Sequence, residues 1–144
     1  MTVQHILKVK GDGAIVTAPS TATLSGVAEI LSSRKIGAVV ISDDGKVPLG
    51  ILSERDIVRE LGRRGVSCMS DPVTKIMTTK LVTCTRADAA TEVMQKMTDG
   101  RFRHMPVMDG SVMVGFISIG DVVKSRLAEL SMEKEALEGM IKGF

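Results

Sequence analysis

Two serine–aspartate pairs carry the most suggestive chemistry in the chain. Ser53 and Asp56 lie in GILSERD at 50–56, and Ser118 and Asp121 in GFISIGD at 115–121. Both stretches fit Gly-apolar-apolar-Ser-x-x-Asp, and both follow an apolar, strand-like run. A serine opening a helix, with an acidic residue three positions on, has the spacing of a capping box, in which each side chain pairs with a backbone N–H that the first turn leaves free. The same geometry can hold a ligand. A helix N-terminus offers N–H groups and a favourable potential to phosphate, the serine hydroxyl adds a donor, and a carboxylate nearly one turn away can accept hydrogen bonds from both hydroxyls of a ribose. Phosphate would repel that carboxylate, so the sugar must lie between them. On the residues alone both readings stay open; the cap by itself is worth about 1 kcal/mol per helix.

The two pairs differ in their surroundings. Ahead of the second stands GRFRHMPV, with Arg101, Arg103 and His104; the matching place ahead of the first reads KIGAVVI, with Gly37 and Ala38 where Arg103 and His104 stand. Near the first pair the cation is Arg55. A solvated turn after a helix also favours cations, which accounts for the charge of Arg101 and Arg103 but not for their clustering with His104. His104 has no companion at metal-ligand spacing, and His5 stands outside the pattern. There is no Ser/His/Asp or Cys/His arrangement and no GxGxxG, and His104 with Asp121 does not make an active site, so a non-enzymatic role is expected.

The elements that must position these groups come in duplicate. Residues 14–58 align with 80–123, at an offset of 66 in their first halves and 65 in their second; the missing residue falls where DDG at 43–45 becomes DG at 109–110. A turn between strands is where a duplicated unit tolerates a deletion. Each copy opens on a short β-branched run, Ile15-Val16-Thr17 or Leu81-Val82-Thr83. A helix follows, striped by Leu24, Val27, Ala28 and Leu31 in one copy and by Ala90, Val93, Met94 and Met97 in the other. Then come a strand (37–42 or 104–108), an Asp-Gly turn, a second strand, and the helix opened by Ser-x-x-Asp. The pattern is β-α-β-β-α twice, an α+β class. One unit has a sheet too small to bury both faces, so two stacked sheet to sheet about a pseudo-two-fold axis would share a core. The expected division is a first repeat at 3–61, a connector at 62–76, a second repeat at 77–127 and a helical extension at 128–144.

Composition supports an aliphatic interior and narrows the partners. Apolar residues make up 44% of the 144 positions; the aromatics are three Phe, and there are ten Met. The net charge of +2 comes from interspersed signs, with no long basic block and no aromatic series on which bases could stack, which argues against a nucleic-acid binder. No run approaches the length of a membrane span, and the N-terminal stretch lacks an apolar core of signal-peptide length. Cys68 and Cys84 form neither a metal cluster nor a disulfide framework; reduced thiols in a cytoplasmic protein are the expectation.

The doubled Gly-apolar-apolar-Ser-x-x-Asp, RHMPV before the second hairpin, and VTKIMT at 73–78 together resemble a tandem pair of cystathionine-β-synthase (CBS) domains, a Bateman module, over residues 3–127. The resemblance implies a stand-alone regulatory module that binds an adenine-containing ligand between its repeats, senses cellular energy or redox state, and modulates a partner protein. AMP, or a ligand with an AMP half such as NAD, suits the modest complement of cations; ADP, ATP and S-adenosylmethionine are other ligands of the family. It implies a second site of Ser118, Asp121, Arg103 and His104 walled by Val16, Ile36 and Gly37, and a first site of Ser53 and Asp56 walled by Val82, Phe102 and Arg103. Gly37 would admit close backbone approach. No catalytic cofactor is implied. A structural or assembly module with vestigial pockets is the alternative, which retention of Ser and Asp in both copies disfavours.

From Asp121 the helical pattern runs well past the repeat. Val123, Leu127, Leu130, Leu137 and Ile141 recur at steps of three or four, with Lys134 in one expected place. So long an apolar stripe needs a partner, and a homodimer is expected, in keeping with the family's habit of pairing.

Overall fold

The computed structural model describes residues 1–11 and 15–141. Ala14, where the first repeat was expected to begin its alignment, and 142–144 at the end of the expected extension lie outside the described residues. The chain divides into two compact units interleaved along the sequence. One holds residues 14–82 and 108–114; the other holds 1–13, 83–107 and 115–144.

The first unit contains β1 (Thr17–Ala18), α2 (Leu24–Arg34), β2 (Ala38–Ile41), β3 (Gly50–Ser53) and α3 (Glu54–Arg64); α1 (Val3–Lys10) precedes them in the chain but belongs to the other unit. β2 pairs in parallel with β1, Thr17 opposite Val40, and antiparallel with β3, Ala38 opposite Ser53. All four β2 residues are buried, so the strand is a continuous apolar run rather than an alternating one. Leu24, Val27 and Leu31 bring the α2 stripe onto Val39, Ile41 and Leu52, with Ala28 half-buried beside them. The expected second strand starts late, at Gly50 rather than Val47. Pro48 has no N–H to give the ladder, and the loop before it is closed by Asp44, whose Oδ1 accepts from the Lys46 and Val47 amides at 2.8 and 2.9 Å. Those amides hold the Asp44 carboxyl below its ordinary value of 3.8.

The second unit contains α1, α4 (Ala90–Gly100), α5 (Ile119–Ile141), and most of β4 (His104–Asp109) and β5 (Val112–Ser118). Ala90, Val93 and Met97 form its buried stripe. Its counterpart of β1 is cut to a single parallel bridge, Cys84 opposite Val107, which lies 66 positions from Ala18 opposite Ile41. The Cys84 amide still donates to the Pro106 carbonyl at 3.1 Å. Pro106 cannot return a bond, so the ladder stops there. Burial pushes the Cys84 thiol up to about 11, with Asp88 adding to the shift; this thiol is inert.

The duplication extends to the segments ahead of each repeat. Pro72 bridges to Thr23, the N-cap of α2, while Thr2 bridges to Ala89, the N-cap of α4. A Cβ on Gly50 would meet Met77 Sδ at 2.6 Å, and one on Gly115 would meet Leu7 Cδ2 at 2.6 Å. The glycine that opens each Gly-apolar-apolar-Ser-x-x-Asp therefore leaves room for the leader lying across its strand.

Both repeat helices end on a left-handed residue that is not glycine, Lys35 (φ 54°) and Arg101 (φ 56°). The conformation costs a residue with a Cβ about 1 kcal/mol. Lys35 is exposed, so Lys35→Gly is expected to stabilise the fold by about 0.5–1 kcal/mol after the extra freedom of the unfolded glycine is counted. Thermal melting should show a rise of about 1–4 °C; a fall would show that the left-handed cap carries no strain.

Candidate functional site

In the second unit, β5 delivers Ser118 to the start of α5. The Ser118 amide donates to Asp121 Oδ2 at 2.8 Å, and the Asp121 amide donates to Ser118 Oγ at 3.2 Å. The Ile119 amide donates to the Arg103 carbonyl at 2.8 Å, which holds the backbone of Arg103 at the helix start while its side chain stays exposed. His104, the next residue, stacks on Phe116, with ring centroids 5.5 Å apart and planes 21° from parallel. The fold thus gathers Ser118, Asp121, Arg103 and His104 around one helix N-terminus. Phe102 is half-buried, its amide donating to Met97 at 3.2 Å.

One member of this cluster was not foreseen. Lys10, in the last turn of α1, donates from Nζ to Asp121 Oδ2 at 2.8 Å and to the Phe116 carbonyl at 2.7 Å. Burial works to raise the Asp121 carboxyl, but the hydrogen bonds from Lys10 and the Ser118 amide outweigh it and hold the group below its ordinary value of 3.8. The carboxylate's stabilising contribution is therefore complete above pH 3.8 and is lost as pH falls through the lower folded value. Lys10 stands 111 positions from Asp121, and only the packing of α1 brings them together.

The first unit repeats the backbone plan with different cations. The Glu54 amide donates to the Gly37 carbonyl at 2.9 Å, as Ile119 does to Arg103. The Ser53 amide and Oγ both donate to Asp56 Oδ2 at 2.9 Å, and the Asp56 amide returns a bond to Ser53 Oγ at 3.2 Å. Asp56 Oδ1 takes a local partner, Arg59 Nη1 at 3.3 Å. Arg55 points to solvent. Val16 and Ile36 pack against the core of this unit, and Gly37 lies at the start of α3 through its carbonyl. Val82 is exposed and falls in this unit, whereas Phe102 and Arg103 fall in the other. Both Ser-x-x-Asp pairs thus form the capping box; at the second, among the described residues, Asp121 Oδ1 keeps an unused acceptor. No group of three metal-ligating side chains occurs among the described residues.

The chain matches the model of the CBS domain twice, at residues 13–63 and 73–128. It is 34% identical to "CBS domain-containing protein CBSX3, mitochondrial" of Arabidopsis thaliana, over 99% of this chain and 72% of that protein. A CBS-domain containing protein from Agrobacterium tumefaciens superposes with a TM-score of 0.83 at 39% identity, over 88% of this chain and 99% of that one. A CBS domain protein from Pyrobaculum aerophilum, solved in complex with AMP, superposes with a TM-score of 0.77 at 28% identity, over 92% and 99% of the two chains. With its duplicated helix-capping device and two matched repeats, this chain belongs to the CBS-domain family, as a tandem pair.

Proposed function

We propose that the chain is a regulatory module that binds AMP, or a ligand carrying an AMP half such as NAD, at the start of α5 and alters the behaviour of a partner protein according to its occupancy. The observation that carries this reading is the convergence of Ser118, Asp121, Arg103 and His104 on one helix N-terminus, each group of a type that an adenine ribonucleotide needs. The AMP complex of the 28% identical Pyrobaculum aerophilum protein supports the choice of ligand. Asp121 accepts from the ribose hydroxyls through Oδ1, with Lys10 kept on Oδ2. Ser118 and the Arg103 side chain, free to swing from its anchored backbone, face the phosphate. The start of α3 is the weaker site, because Gly37 and Ala38 stand where Arg103 and His104 do and because Arg59 already occupies Asp56. The module does no covalent chemistry.

A thermal-shift screen against adenosine, AMP, ADP, ATP and NAD tests the reading, since a ligand that binds the folded state raises the melting temperature by mass action. Arg103→Ala should weaken AMP by roughly tenfold or more while leaving adenosine nearly unchanged, because it removes a charge-assisted contact to phosphate alone. Calorimetric titration of both ligands gives the comparison; equal losses would show that Arg103 does not read the phosphate.

A further inference from the structure

The apolar stripe that docks α1 ends in a cation. Val3, Ile6, Leu7 and Lys10 fall at i, i+3, i+4 and i+7, which is one face of a helix. Val3 and Ile6 are buried, and Leu7 lies over Gly115 of β5. The fourth position turns the same way, so Lys10 reaches the end of β5. There its Nζ donates to the Phe116 carbonyl at 2.7 Å and to Asp121 Oδ2 at 2.8 Å. A cation in the last turn of a helix is ordinary, but that preference does not account for two bonds to another strand and another helix. Stability does not account for them either. An exposed ion pair contributes little, and a lysine held at both ends gives up its rotamer freedom.

The first unit offers a comparison. Its leader sets Met77 against Gly50 as α1 sets Leu7 against Gly115. Three residues on, in both leaders, stands a lysine, Lys80 or Lys10. Thr78 is bridged to Ile51, so the first leader runs on beside its strand instead of turning as a helix does, and Lys80 is exposed. Asp56 takes its cation from its own helix, Arg59 Nη1 at 3.3 Å. The second Ser-x-x-Asp borrows its cation from the leader, and the helical turn of α1 is what delivers it.

With a ribose on Asp121 Oδ1, the phosphate of a nucleotide lies one sugar away from a carboxylate, and like charges at that range repel. The charges of Asp121 and Arg103 cancel; Lys10 leaves the balance positive. Building on the adenine-ribonucleotide reading above, we propose that Lys10 is a positioning residue of the second site, one that offsets the charge of Asp121 through Oδ2 and so fits the site to a phosphorylated ligand rather than to the bare nucleoside. The bond to the Phe116 carbonyl anchors the ammonium to the strand, so its charge stays in place while the carboxylate engages a ligand.

Calorimetric titration of adenosine and AMP into the full chain and into Lys10→Met and Lys10→Arg tests this role. Lys10→Met should weaken AMP by roughly fivefold or more and adenosine by less than about twofold, because the nucleoside carries no charge and the carboxylate can still accept from it. Lys10→Arg keeps the charge and should recover most of the AMP affinity. Lys10 is exposed, so the melting curves should show both variants folded. Carbon NMR of the Asp121 carboxyl gives a second measurement that needs no ligand: in Lys10→Met the group should titrate at higher pH, since burial then works against fewer opposing bonds. AMP bound by Lys10→Met as tightly as by the parent, or AMP and adenosine weakened alike, would overturn the role of Lys10 and leave the site standing. A parent protein that binds neither ligand would overturn the adenine-ribonucleotide reading, and this role with it. An Asp121 carboxyl unmoved by Lys10→Met would overturn the charge coupling in either case.

Discussion

Asp121→Asn is expected to leave the protein folded and to weaken adenine ribonucleotide binding by roughly ten- to a hundredfold. In the fold, asparagine keeps a side-chain oxygen that can accept from the Ser118 amide, the bond now made at 2.8 Å. What is lost is the charge that pairs with Lys10 and favours the helix N-terminus, worth about 0.3–1 kcal/mol for a partly exposed group. The ligand loses more. The free carboxylate oxygen can accept from the ribose hydroxyls, whereas an asparagine whose oxygen stays on the Ser118 amide turns its NH₂ to the ribose, and that group cannot accept. A hydrogen bond to a charged acceptor is worth about 1.5–3 kcal/mol. 2′-Deoxy-AMP already lacks one hydroxyl and should lose less than AMP on the same substitution. Paired titrations of the two nucleotides into both proteins give the comparison, with melting temperature as the control. Unchanged AMP affinity would mean that Ser118 and Asp121 only begin a helix.

Gly115→Val is expected to destabilise the second unit by about 1–3 kcal/mol, the usual result of forcing added atoms into a packed contact. Valine suits an extended strand better than glycine does, and Gly115 does not need a positive φ. The cost arises from Leu7, whose Cδ2 lies 2.6 Å from where the new Cβ would stand, with Cδ1 and Cγ at 3.3 and 3.5 Å. Two further methyls drive α1 off the strand and take Lys10 from Asp121. Chemical denaturation should report the loss. Shortening the neighbour, by Leu7→Ala in the Gly115→Val background, should recover part of it. A Gly115→Val protein as stable as the parent would show that the leader does not press on β5.

How much of this was legible beforehand depended on the range of the cause. The α2 and α4 stripes were readable because burial imposes a 3.6-residue period on neighbouring residues, and Leu24, Val27, Leu31, Ala90, Val93 and Met97 are all buried. The capping geometry of both Ser-x-x-Asp pairs was readable for the same reason, since each bond spans three residues. Pro106 was visible in the chain, and its missing N–H explains why no strand forms at 81–83, where one was expected, and only the bridge at Cys84 remains, but weighing one proline against a repeat required the partner strand. Nothing local announced the left-handed caps at Lys35 and Arg101, where glycine would have been the signal. Lys10 was beyond reach altogether. Its place beside Asp121 depends on α1 joining the later unit, and no spacing rule connects residues 111 positions apart.

That placement of α1 has a bearing on how the chain is made. Residues 1–10 leave the ribosome well before the groups they bind: the Val3 amide donates to the Asp88 carbonyl, the Ala90 amide donates to the Met1 carbonyl, Leu7 lies over Gly115, and Lys10 bonds Asp121. At about 5–20 residues per second, the nascent helix waits roughly 5–20 s for β5 and the start of α5. An eight-residue helix does not hold its shape alone for such an interval, so its apolar residues Val3, Ile6 and Leu7 stay open to water or to a chaperone during that time. The unit led by 72–78 has no such delay between leader and first repeat, because Pro72 and Thr23 are already out together. The order of translation thus makes α1, whose Lys10 is made 111 positions ahead of Asp121, among the last elements to dock.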